Sequence, residues 1–167
     1  SGGAEANETA LKMARKYHIN NGEATRFKVI SRINSYHGAT HATMSLGGGT
    51  RSPHEFEPLM SGSIKIANYD SYRYGFSTKS EDEASSEYAK DLERAILAHN
   101  PSTVSAFIAE PISAATGIHV PNKSYFQMIR EICDKYGVIM ISDEVITGYG
   151  RTGSWFAIEQ WDVVPDI

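Results

Sequence analysis

Val138-Ile139-Met140-Ile141-Ser142-Asp143-Glu144 runs from unbroken apolar sequence straight into two carboxylates. A short continuous apolar run, here Val138 to Ile141, reads as a strand buried on both faces. The same pattern occurs twice upstream. Val104 to Ala109 is apolar but for Ser105 and delivers Glu110-Pro111, and Phe27 to Ile33 alternates apolar and polar and leads into Tyr36-His37-Gly38. Between these runs the period changes. From Ala4 to about Asn20 the residues Ala6, Ala10, Leu11, Ala14 and Tyr17 recur at helical spacing, with Asn20-Asn21-Gly22 as the stop signal. Glu83 to His99 is a polar amphipathic helix closed by Asn100-Pro101. Ser124 to Tyr136 is a helix with Phe126, Ile129, Ile132 and Cys133 on one face, ended by Gly137. Strands alternating with helices predict an α/β fold, a mostly parallel sheet with helices on both faces. Leu46 to Gly75, rich in glycine and proline, reads as long irregular surface with one short strand near Ile64 to Ala67.

In open sheets of this kind ligands bind outside the carboxyl ends of the strands. The three polar clusters at predicted strand ends are therefore the places to look for chemistry. The bulk numbers exclude other classes. With 167 residues, 41% hydrophobic and 22% charged, the chain can bury a core. A formal charge of -4 without a run of Lys or Arg provides no footprint for nucleic acid or an anionic membrane. No apolar stretch approaches the roughly 20 residues that span a bilayer. Cys133 is the sole cysteine, so neither an internal disulfide nor a Cys-based zinc site can form, and a cytoplasmic setting is the default expectation.

Each motif has a functional and a plain structural explanation. Gly3-Ala4-Glu5-Ala6 opens a helix after a glycine pair, which suits an anion such as phosphate but also an ordinary helix entry. Gly47-Gly48-Gly49 is not followed closely by a helix pattern and reads as a flexible loop. Tyr36-His37 at a strand end can stack and hydrogen bond a flat ligand, or simply form a half-buried pair. A metal at His37 is not expected, because no ligand stands at metal spacing beside it. Asp143-Glu144 at the end of a buried strand needs a compensating cation, metal or protonated ring nitrogen. One such setting is a P-loop ATPase, yet there is no Gly-Lys dipeptide, so its phosphate loop would have to lie elsewhere. Gly148-Tyr149-Gly150-Arg151-Thr152-Gly153 fits the dinucleotide spacing GxGxxG. Asp143 to Thr147 separate it from the strand, and Glu159 and Asp162 come too early for the ribose acid, so a glycine turn tied down by Arg151 is favoured.

Taken in order, SGGAEANETALKMAR, SYHGAT, FIAEP, ISDEVITGYGRTG and PDI make the chain resemble the class III aminotransferases of fold type I, enzymes dependent on pyridoxal phosphate (PLP). The resemblance covers nearly the whole length. It implies that residues 1–167 are an incomplete part of the cofactor-binding large domain, with an N-terminal segment, the Schiff-base lysine and a C-terminal small domain lying outside them. Consistent with that expectation, there is no initiator Met and a strand-like run is only starting at Val163-Val164-Pro165-Asp166-Ile167. The resemblance further implies that Gly3 and Ala4 offer N–H groups to the cofactor phosphate. Tyr36 and Val145 would cover the two faces of the pyridine ring, with His37 and Glu110 as neighbours and Asp143, the catalytic candidate, paired with the ring nitrogen. An anion there keeps that nitrogen protonated, which strengthens the ring as an electron sink. Lys12, Lys16, Lys28, Lys65, Lys79, Lys90, Lys123 and Lys135 do not match the family lysine, so these residues alone are expected to be inactive.

The resemblance also bears on the substrate. Members using ornithine or 4-aminobutyrate carry a glutamate after Glu110-Pro111-Ile112, where this chain has Ser113-Ala114-Ala115-Thr116. The implied reaction is transfer of an amino group from an omega-amino acid or amine to a keto acid such as pyruvate, in a homodimer. Ile146 stands where some relatives place Gln near the cofactor's phenolic oxygen, so that hydrogen bond is not supplied. Two alternatives remain at this level. One is a nucleotide-binding P-loop-like ATPase using Asp143 and Glu144. The other is a PLP-dependent mutase or racemase on the same fold, distinguishable by whether a chiral donor reacts without a keto acid.

Overall fold

The computed structural model describes residues 2–48, 53–70 and 80–167, with the side chains of 53 and 54 excepted. Helix α1 (Gly3–Asn20) leads to strand β1 (Lys28–Arg32), a short helix α2 (His41–Leu46) and strand β2 (Ser63–Ile66). Helix α3 (Glu81–Ala98), strand β3 (Val104–Ala109), helix α4 (Lys123–Tyr136) and strand β4 (Ile139–Ser142) follow. The strands are all parallel, in the order β2-β1-β3-β4. Val29 lies opposite Ser63 on one side and Ala106 on the other, and Ala106 in turn faces Ile139. Beyond β4, the N–H of Ile167 donates to Met140 O and the N–H of Ser142 to Ile167 O, the pattern of a further parallel pairing.

Strand β3 is buried along all six residues, Ser105 included, as expected of a nearly all-apolar strand covered on both faces. One face carries Ile30, Ile64, Phe107 and Met140 against Tyr88, Leu92 and Ile96 of α3 and Phe126, Ile129 and Cys133 of α4. The opposite face carries Val29, Ala106, Ile108 and Ile141 against Ala10 and Ala14 of α1 and Leu46 of α2. Each large apolar side chain fully buried this way contributes roughly 1.5–3 kcal/mol. Burial in the first of these layers pushes the Cys133 thiol up to about 12, so it is an inert core residue.

From β1 the chain steps to β2 through α2 on the α1 face. The later connections run the other way through α3 and α4 on the opposite face. Reversing both direction and face keeps one hand for every crossover. It also leaves a topological switch point between the carboxyl ends of β1 and β3.

Most element boundaries fall within two residues of expectation. The exceptions are informative. In α1 the buried residues are Asn7, Ala10, Ala14 and His18, whereas Ala6 and Tyr17 face outward. Polar Asn7 and His18 join the inner stripe because folding supplies partners that are remote in sequence or outside the helix, His37 and Asp143 for one and Glu23 and Ser105 for the other. The stretch expected to be irregular surface from Leu46 includes buried Leu46, Ile64, Ile66, Asn68, Tyr69 and Asp70. Gly47 closes α2 through its N–H, and the N–H of Gly48 donates to Ser35 O, so these two glycines hold defined contacts; Gly49 lies outside the described residues.

Candidate active site

Three strand ends and one helix start converge on a cleft of about 340 Å³. From the end of β1 come Tyr36 and His37, from β3 Glu110, from β4 Asp143 and Val145, and from the amino end of α1 Gly3 and Ala4. These are the residues predicted from sequence, and all of them line this one space. Gly38, Ile112, Ile146 and Thr147 complete much of its wall.

Asp143 is 6% exposed and is held from three directions. Its Oδ2 accepts from His37 Nδ1 and from Asn7 Nδ2, both at 2.8 Å, and its Oδ1 accepts from the N–H of Val145 at 3.2 Å. Burial by itself would raise this carboxyl, but His37, Asn7 and the Val145 N–H outweigh it and hold Asp143 below the usual carboxylate range. Glu110 goes the other way. Burial pushes its carboxyl up, against the opposing effects of the Tyr36 N–H, which donates to Oε1 at 2.8 Å, and of His37 and Arg32. The signs on stability are therefore opposite. The contribution of Asp143 is complete above the ordinary carboxylate value and fades as pH falls through its depressed one, whereas that of Glu110 is complete at low pH and fades as pH rises through its elevated one.

With an ionised Asp143 as acceptor, His37 Nδ1 carries the hydrogen of their shared bond. His37 Nε2 is buried with no hydrogen-bond partner among the described residues. Behind the cleft the buried Arg32 guanidinium donates through Nη2 to Glu110 O and to Ser113 Oγ, which fixes the turn carrying Glu110.

The residues present fit a flat phosphorylated ligand with a basic ring nitrogen. The first-turn N–H groups of α1 lack intrahelical acceptors by construction and lie at the positive end of the helix. A Cβ on Gly3 would come within 2.4 Å of Val145 Cγ2, so the helix entry is drawn up against the residue expected to cover one ring face. The cleft also holds a buried carboxylate that is kept charged. Ile146 also lines the cleft. Among the described residues no lysine lines the cleft, and no group of three or more His, Cys, Asp or Glu side chains is placed to hold a metal. Lys79 lies outside the described residues.

Asp143 and Glu144, adjacent in sequence, part company in the fold. Glu144 turns to the following loop, where it accepts from Thr147 Oγ1 and from the N–H groups of Ala157 at 3.1 Å and Ile158 at 2.9 Å. It is a loop anchor, with its acceptors committed, which removes the second acid that an ATPase reading requires. In the full-length protein, Glu144→Ala is expected to cost roughly 1–3 kcal/mol, because two N–H groups of buried residues lose their acceptor. Urea unfolding measures this, and an unchanged midpoint would contradict the anchoring role.

The segment Gly148 to Gly153 is a turn, with positive φ at Tyr149, Gly150 and Gly153. Arg151 does not tie it down as expected. Its side chain is exposed and makes no hydrogen bond or ion pair among the described residues, while Glu144 and the Tyr149 N–H to Trp155 O do the holding.

Sequence reasoning missed Asn7. The available signal was a polar residue on the stripe of Ala10 and Ala14, just after the glycines. It also assigned no role to Gly38, which packs on Ala4.

A family model described as aminotransferase class-III matches residues 1–167. The omega-aminotransferase of Caulobacter vibrioides is 37% identical over 165 residues, 99% of this chain and 38% of that protein. The putrescine–pyruvate aminotransferase of Pseudomonas aeruginosa is 42% identical over 166 residues, 99% and 36% respectively. Among solved structures, an amine transaminase from an uncultivated Pseudomonas species in its PLP-bound form superposes with a TM-score of 0.95 at 37% identity, covering 99% of this chain and 37% of that one. The chain thus spans little more than a third of the length of these relatives.

Proposed function

Because the chain belongs to the class III aminotransferase family, we propose that the full-length protein uses pyridoxal phosphate to move an amino group from an omega-amino acid or amine to a keto acid such as pyruvate. The observation that carries this reading is the convergence, in one cleft, of the α1 amino end, Tyr36, Val145 and an Asp143 carboxylate kept ionised by His37 and Asn7. When bound, the cofactor supplies an electron-accepting ring that takes up the charge left as a substrate carbon loses its proton.

The chain's own residues divide the remaining work. Gly3 and Ala4 bind the phosphate through N–H groups, assisted by the helix end. Tyr36 and Val145, which both line the cleft, would hold and orient the ring. Asp143 holds a proton on the ring nitrogen, and because this matters more as negative charge develops in the ring, it favours the transition state over the ground state. Glu110, raised toward its neutral form and tied to the Tyr36 N–H, keeps Tyr36 in place. Residues 1–167 form part of a cofactor-binding large domain on this reading, and the active assembly is a cytoplasmic homodimer. The omega-aminotransferase, the putrescine–pyruvate aminotransferase and the amine transaminase named above support the substrate class, as does the Ser113–Thr116 stretch, which lacks a glutamate.

Full-length protein reconstituted with pyridoxal phosphate is expected to change its visible absorbance when an amine donor is added and to recover it with pyruvate. A spectrum indifferent to every amino donor would refute the assignment.

A further inference from the structure

Asn7 stands one turn into α1, 6% exposed, on a face that also carries Ala10, Ala14 and His18. A buried amide on such a face is costly unless its hydrogens find acceptors. Both are used. Nδ2 donates to the His37 carbonyl and to Asp143 Oδ2, each at 2.8 Å. The same Oδ2 takes His37 Nδ1, so it is saturated by two donors. Among the described residues Oδ1 accepts only the longer bond from the Val145 N–H, and it is the oxygen with capacity left for a ligand.

We infer that Asn7 is a positioning residue for Asp143, acting with His37 to keep the carboxylate charged and turned so that Oδ1 meets the N–H of the cofactor ring. The inference rests on pyridoxal phosphate being the ligand of the cleft. Its physical content is a ruler. The helix whose first turn offers N–H groups to a phosphate also carries, one turn on, the amide that sets Asp143, so both ends of the ligand are referred to one rigid element. A merely structural Asn7 would tie α1 to the segment after β1 through His37 O and would not distinguish one ring from another.

The test uses full-length protein stripped of cofactor and titrated, by absorbance, with pyridoxal phosphate and with its 1-deaza analogue, in which the ring nitrogen is replaced by C–H. Wild type is expected to prefer pyridoxal phosphate. In Asn7→Ala the preference should shrink about 10-fold, the equivalent of one unit in the ring nitrogen's proton affinity. Because the readout is a ratio within each variant, a general loss of affinity cancels. Parallel weakening of both ligands, with the ratio unchanged, would overturn the inference, as would a wild type that does not distinguish them. If wild type bound neither ligand, the cofactor assignment itself would fail and this inference with it.

Discussion

Full-length Asp143→Asn protein is expected to transfer amino groups roughly 10²–10³-fold more slowly than wild type, the range lost when a single preorganised electrostatic contact to a developing charge is removed. The substitution keeps the shape of the side chain, so His37 and Asn7 still find an oxygen between them, and the fold should persist. What changes is the charge. A neutral amide cannot hold a proton on a ring nitrogen, so the loss should fall on kcat more than on the KM of the amine donor. Steady-state kinetics with an amine and pyruvate, at matched cofactor content, measure the effect. A variant that retained wild-type kcat with full cofactor loading would show that Asp143 does not serve the ring.

Gly38→Ala is expected to be the most destructive small change in the cleft. Gly38 has φ of +134°, which L side chains rarely adopt, and an added Cβ would lie 2.5 Å from Ala4 Cβ, 2.8 Å from Ala4 Cα and 2.7 Å from Thr43 Oγ1. Two of those neighbours belong to Ala4 at the start of α1, so they cannot swing aside as a flexible side-chain end could. Helix α1 or the β1 exit must move. The combined cost of backbone and overpacking is roughly 3 kcal/mol or more. Affinity for pyridoxal phosphate should fall with it, since the displaced turn is the one offering N–H groups. Gly150→Ala is the control, with φ of +86° and nothing within 4 Å of an added Cβ, where about 1 kcal/mol is expected. Equal urea midpoints for the two full-length variants would contradict the packing argument.

Much of this fold was legible before any coordinates. The run Val104–Ala109 is apolar but for Ser105, the composition of a strand covered on both faces, and Gly137 ends α4 in the left-handed conformation that glycine accepts most readily. Helix α2 was not legible, because His41–Leu46 is too short to show a period. Its placement depends on Leu46 reaching the layer between α1 and the sheet. The difference between Asp143 and Glu144 was equally hidden. Two adjacent acids look alike in sequence, and only the positions of His37 and Asn7 on one side, and of Ala157 and Ile158 on the other, assign one to the cleft and the other to a loop.

Local pattern alone yields the alternation of strand and helix and the strand ends at which polar residues emerge, because burial period and turn chemistry are local properties of the chain; the residues expected around a cofactor came from the order of motifs that resembles a family. Only the tertiary structure decided which of those residues act on one another. Hydrogen bonds between Asn7 and Asp143, or between Tyr36 and Glu110, join positions far apart in the chain, and the charge state of each acid follows from the donors that folding brings to it.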